Sequence, residues 1–406
     1  MALARAVALV VAAIIMAAVA AAAAPGSGGA APAAPAKSVH AAWLHGPPSD
    51  PSYFPIAVWL QSPSSAAAYK AAGINLYVGL WEGPTEEQLA ALTKAGMPVI
   101  CDQNKVGLKH KDDPIIVGWM HGDEPDNAQS LPSGKGYGPP IAPEKIIADY
   151  QRLHAADPTR PVMLNLGQGV AWDGYYGRGV RTNHPEDYPE YAKGCDIVSF
   201  DIYPVAHEKP AVQGKLEFVG RGVERLVKWT AGKKVVWNCI ECTRIGSNRK
   251  ATPVQVKAEV WMSLIHGSRG LIYFVHEWKP KFNEHALLDD PEMLAAVTAV
   301  NAQIKSLAPA LNSDTAHAYF PEVPTDWKPQ PGAEAPVAWM MKRHEGAVYV
   351  FAVGMRDVKG RGGIRLDRLR SGMTAEVLGE GRSVKVGDGR LEDDFEPYAV
   401  HLYRIR

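Results

Sequence analysis

Short apolar runs recur along residues 54–278, separated by stretches in which apolar positions return every three to four residues. The first run, FPIAVWL (54–60), is followed by AAAYKAAG, a short helix with Gly73 as its stop. INLYVGLW (74–81) precedes TEEQLAALTKAG (85–96), where Thr85 and Gln88 have the spacing of a capping box. MPVICDQ (97–103), IIVGWMHGDE (115–124), RPVMLNLG (160–167), CDIVSFDIYPV (195–205), KKVVWNCIECT (233–243) and RGLIYFVHEW (269–278) continue the series of strand-like runs. Helical stretches fall between and after them at 143–157, 222–232, 252–268 and 291–308. Near-continuous apolarity is what strands covered by helices require. Eight such units predict an α/β fold, a (β/α)8 TIM barrel over residues 40–308. A doubly wound open sheet is the alternative, but no G-x-G-x-x-G follows the first strand. From Pro309 the period changes to alternation, in APVAWMMKR, AVYVFAVGM, MTAEVLGE and YAVHLYRI. Residues 309–406 therefore predict a small antiparallel β-sandwich.

The amino-terminal pattern is different again. Arg5 precedes an apolar run, and the small residues at Ala22–Ala24 suit a cleavage site, so residues 1–24 read as a signal peptide and 25–39 as a disordered linker. The run is also long enough to be retained as a membrane anchor. The expectation is an exported protein, extracellular or periplasmic, with no stable membrane association after cleavage. Of the four cysteines, Cys239 and Cys242 form C-x-x-C, yet inside a strand rather than opening a helix. That placement argues against a redox pair, and no second pair is present to complete a zinc site. No cofactor and no metal are expected.

Lys+Arg and Asp+Glu both number 43, which leaves no basic footprint for nucleic acid. Eleven Trp and fifteen Tyr offer broad apolar faces of the kind on which sugar rings pack. In a barrel, chemistry collects at the carboxyl ends of the strands. Those ends carry Trp59 and Gln61, Trp81, Asp102, then His121, Asp123 and Glu124, then Asn165, Asp201 and Tyr203, then Asn238 and Glu241, and finally His276 and Trp278. This ring of carboxylates, amides and aromatics suits a polyol. Glycosidic cleavage needs two carboxyl groups, one giving a proton to the leaving oxygen and one attacking the anomeric carbon or activating water. Glu124 and Glu241, ending the fourth and seventh strands, are the candidate pair.

GDEPDN at the fourth strand end and NCIECT at the seventh resemble the clan A glycoside hydrolases. The resemblance implies a (β/α)8 barrel with Glu124 as acid/base and Glu241 as nucleophile. It also implies that Tyr203 orients Glu241 and that Trp278 is the platform under the sugar. Asp123 stands where that clan typically has Asn, so the contact to the sugar 2-substituent differs, because a carboxylate accepts but cannot donate. Its charge also pushes a neighbouring Glu124 toward the protonated form an acid needs. Substrate contacts are expected from Asp123, Tyr203, Trp278, Asp102, Asn165, Asp201, Trp81 and His121. The function expected is a secreted retaining glycosidase with a carbohydrate substrate. A non-catalytic carbohydrate-binding barrel is the alternative. A metal-dependent hydrolase lacks its usual H-x-H after the first strand.

Overall fold

The computed structural model describes residues 38–324, 326–328, 334–366, 369 and 371–406. The leader and most of the linker read from the sequence lie outside the described residues.

The first half of the fold is a parallel sheet of strands β1 (Ile56–Trp59), β2 (Leu76–Val78), β3 (Val99–Asp102), β4 (Ile116–Met120), β5 (Val162–Leu166), β6 (Ile197–Phe200), β7 (Val235–Val236), β8 (Asn238–Glu241) and β9 (Leu271–Phe274). Their order, β7-β6-β5-β4-β3-β2-β1-β9-β8, returns to its starting point, because only Trp237 separates β7 from β8. The seventh barrel strand is thus split. Its lower piece β7 pairs with β6, and its upper piece β8 pairs with β9. No ladder joins β6 to β8 among the described residues.

Alternation along each strand sorts side chains into two layers. In β1, Ile56 and Val58 face the helices, while Ala57 and Trp59 enter the barrel with Val78, Ile100, Met163 and Trp237. Helices α1 (Ala66–Ala71), α2 (Glu86–Ala95), α3 (Lys105–Lys109), α4 (Pro143–Ala156), α5 (Tyr188–Tyr191), α6 (Glu217–Trp229), α7 (Pro253–Ile265) and α8 (Pro291–Asn312) follow in chain order. The capping box at Thr85 and Gln88 forms as its spacing predicts, and Thr252 with Gln255 makes a second one at α7. Gly73 follows α1 at φ 81, the left-handed region where glycine costs least.

The carboxy-terminal region is an eight-stranded antiparallel sheet, β10 (Thr315–Tyr319), β11 (Val337–His344), β12 (Ala347–Gly354), β13 (Gly360–Arg365), β14 (Thr374–Val377), β15 (Arg382–Gly387), β16 (Arg390–Phe395) and β17 (Val400–Ile405). It folds around a core of its own that includes Val350, Ile364, Leu391 and Tyr403. Its other face completes the barrel's outer core, where Phe351 packs on Trp261 of α7 at 5.3 Å between ring centroids. The expected boundary at residue 308 falls inside α8. The helix continues through Pro309 to Asn312, whose side-chain amide donates to the carbonyls of Pro51 and Tyr53.

Candidate active site

A cleft of about 1010 Å³ opens at the carboxyl ends of the barrel strands. One wall comes from the segments after β1, β2 and β9, and the other from the turns after β4 and β6. The first wall is aromatic. Trp278 is 48% exposed and stacks at 20° on Phe274, with centroids 5.7 Å apart, while Phe282 lies 6.0 Å from Trp278. Trp81, 69% exposed, stands on the same side after β2.

The opposite wall is acidic. After β4 the chain turns at Glu124, Pro125, Asp126 and Asn127, closed by Asn127 N–H on the Glu124 carbonyl at 3.1 Å. Glu124 has φ 43, a left-handed conformation that costs a non-glycine residue about 1–2 kcal/mol. Four hydrogen bonds hold the turn there. Glu124 N–H donates to the Asn165 carbonyl of β5 at 3.2 Å. The buried Asp126 carboxylate accepts from Gly167 N–H and from the Tyr188 hydroxyl, both at 2.9 Å. Asn127 Nδ2 donates to Glu124 Oε2 at 2.7 Å. A Cβ at Gly167 would come within 2.6 Å of Asn127 Oδ1, so a larger residue there would displace the amide that bonds Glu124.

Asp123, Glu124 and Asp201 converge on the cleft. The side chains of Glu124 and Asp201 neighbour each other closely enough to hydrogen-bond when one of them is protonated. Burial, then the charge and contact of Asp201, then Asp123, push Glu124 well above the usual carboxylate range. Burial also pushes Asp123 up, to about 7, against an opposing hydrogen bond from Asn165. Asp201 is raised by burial too, but the contacts from Glu124 and Tyr203 hold it back. Both carboxyls are raised, Glu124 the further, which favours the proton on Glu124 and the charge on Asp201.

Several expected contacts have other roles. Asn165 does not face the cleft freely. Its Oδ1 accepts from the Ser199 hydroxyl at 2.7 Å, which turns Nδ2 onto Asp123 Oδ1 at 2.9 Å. His121 is a core histidine, 6% exposed, with Nε2 bonded to the Gly194 carbonyl at 2.7 Å. Asp102 ends β3 exposed, outside the lining of the cleft. Tyr203 lies under Asp201 and packs on Phe274 at 5.2 Å, so it supports Asp201 rather than Glu241.

Glu241 is the main correction. Its side chain is fully buried and accepts from the backbone N–H groups of Val205 at 2.6 Å and Ala206 at 2.8 Å. Behind it lies the carboxyl of Glu259 on α7, also fully buried. The split of the seventh strand explains the placement. Where β8 leaves β6, no ladder bonds the loop after β6, and the Glu241 carboxylate supplies the missing acceptors. Burial raises Glu241 to about 7 and Glu259 well above its ordinary range, so both are pushed toward the protonated form. The structure thus brings Asp123, Glu124, Asp201, Trp81 and Trp278 together and leaves Glu241 beneath the cleft.

Besides Phe274 and Phe282, further residues outside the expected set lie at or near the site. Glu284, after β9, lines the aromatic wall and accepts from Ser62 N–H at 2.6 Å. Tyr175, in the loop after β5, feels the charges of Glu124 and Asp201, which with burial raise its phenol. A second Glu signal was readable at α7. Glu259 falls one turn after Val256 and one before Ser263, on a helix face that is otherwise apolar or small.

No known family profile matches the chain, and no curated protein sequence is similar to it. Among solved structures, a variant of AmyP in complex with maltotriose aligns at a TM-score of 0.52 with 10% identity, covering 88% of this chain and 97% of that one. AmyP in complex with maltose aligns at 0.51, again with 10% identity, over 87% of this chain and 96% of that one. These likenesses are in fold, and the fold is the barrel that the resemblance to glycoside hydrolases implies.

Proposed function

We propose that the chain is a glycoside hydrolase that cleaves an oligo- or polysaccharide in the cleft above β4, β6 and β9. The observation that carries this reading is the Glu124–Asp201 contact facing an aromatic platform. A general acid has to hold its proton near neutral pH, and a buried carboxyl beside an ionised one does so. The platform of Trp278, Phe274 and Phe282 offers the apolar face on which a sugar ring stacks.

Glu124 protonates the leaving oxygen. Asp201 and Asp123 stand on the same wall of the cleft as Glu124, whereas the second carboxyl has to act from the other face of the sugar. Glu284 supplies the second carboxylate. It follows β9, the eighth barrel strand, which stands across the ring from β4. Attack by Glu284 on the anomeric carbon gives a retaining double displacement, and activation of water gives inversion. The configuration of the first-formed sugar, followed by NMR during turnover of an activated aryl glycoside, distinguishes the two. Glu284→Gln that turns over as fast as the parent chain would remove Glu284 from this role.

A specific observation favours a second reading. The seventh-strand Glu241 is committed to the fold, as in a barrel that binds carbohydrate without cutting it. Oligosaccharide binding without turnover of any activated glycoside would select that reading. We further propose export from the cytoplasm, supported by the apolar leader and cleavage pattern of residues 1–24.

A further inference from the structure

Four carboxyl groups line the cleft, those of Asp123, Glu124, Asp201 and Glu284, and among the described residues no lysine or arginine does. The lining imidazole of His276 is kept neutral by burial. Three cations on the neighbouring loops are engaged elsewhere, while Lys281 beside Phe282 is exposed outside the lining. Lys209 sits over the Tyr176 ring at 4.8 Å, Arg244 pairs with Glu277 at 3.1 Å, and Lys279 lies 3.8 Å from Glu208. The Asp201 carboxyl, already in contact with Glu124 and Tyr203, still faces the cleft. Facing these groups, Trp81 and Trp278 expose ring faces that attract cations as well as sugar rings.

We propose that the cleft selects glycans of amino sugars with free ammonium groups and excludes chains bearing uronic acid or sulfate. This rests on the reading of the cleft as a carbohydrate site. An ammonium group meets acceptors on one wall and aromatic faces on the other. It also lowers the raised carboxyls, because a cation beside a carboxyl favours the ionised form. A carboxylate or sulfate in the same place adds like charge to a cluster that already cannot ionise fully, with no cation in the lining to receive it.

The test is calorimetric titration of the full chain with phenyl glucosaminide, phenyl glucoside and phenyl glucuronide, each in both anomers, with turnover of the same compounds followed separately. The glucosaminide is expected to bind roughly tenfold or more tighter than the glucoside at low salt. That margin should shrink in high salt, and the glucuronide should bind weakest. Glu284→Gln should narrow the margin. A glucuronide bound as tightly as the glucoside overturns the proposal, as does a glucosaminide bound no tighter than the glucoside, or no binding by any of the three. The expected order of binding without turnover upholds it and removes the hydrolase reading instead.

Discussion

The side chain of Glu124 neighbours that of Asp201 between the ends of β4 and β6, and burial with the Asp201 charge favours the protonated form of Glu124. Asp201→Asn removes the charge that favours the protonated acid and leaves an amide that can donate to an ionised Glu124. Both effects lower the Glu124 pKa. The alkaline limb of kcat/KM is expected to move to lower pH, by about one unit or more. An unmoved limb in a folded variant would separate Asp201 from the acid.

Glu124→Gln keeps the shape of the turn but cannot give up a proton. Turnover of a glycoside with a poor leaving group should fall about 10²- to 10⁴-fold, with a smaller loss where the leaving group needs no proton. Equal losses on both substrates would argue that the change acts through structure alone.

Glu241→Gln tests the corrected assignment. One of the Val205 and Ala206 amides would lose its acceptor and face a side-chain NH₂. The melting temperature should fall, while kcat of the remaining folded enzyme changes by less than about threefold. A nucleophile at this position would instead give near-complete loss of turnover with azide rescue, and that result would restore Glu241 to the chemistry.

Stability should depend on pH through the Glu241–Glu259 pair. Burial holds the folded pKa of Glu241 at about 7 against an ordinary 4.5, and raises Glu259 as well. The folded chain then keeps protons that the unfolded chain releases, so this contribution weakens as pH rises from about 4.5 through 7. Glu259→Gln removes one titrating partner. Its melting temperature relative to the parent should climb by about 3 °C or more between pH 5 and pH 8. Parallel melting curves across that range would contradict the raised pKa values of the pair.

Trp278→Ala removes the exposed ring of the platform without touching a carboxyl group. KM should rise roughly tenfold, with a smaller change in kcat. A fall in kcat alone would mean that Trp278 acts on the reacting centre rather than on binding.

Much of this site could be read from periodicity. The eight apolar runs placed every barrel strand, and counting them put Glu124 and Asp201 at strand ends that converge. Trp81 and Trp278 followed from the same count. Glu241 did not, because its direction depends on a break at Trp237 inside a run, VVWNCIE, that carries no glycine or proline to mark it. His121 is equally ambiguous, since only the Gly194 carbonyl distinguishes a core imidazole from a ligand contact. Glu284 lies in a stretch without period, KPKFNEHALLDD, where only the path of the backbone brings it back over the cleft. In the β-domain, β13, β15 and β16 were harder to read than β11 and β12. Their sequences GRGGIR, RSVKVG and RLEDDF interrupt alternation with glycine and charge.

The split seventh strand makes one junction of the barrel different in kind from the rest. Elsewhere neighbouring strands are joined by main-chain bonds, which any amino acid except proline can provide. Above Trp237 the closure between β8 and the loop after β6 depends on what residue 241 happens to be. A single codon change can unfasten it, and the segment it would release begins two residues beyond Tyr203, the support of the ionised half of the acid pair.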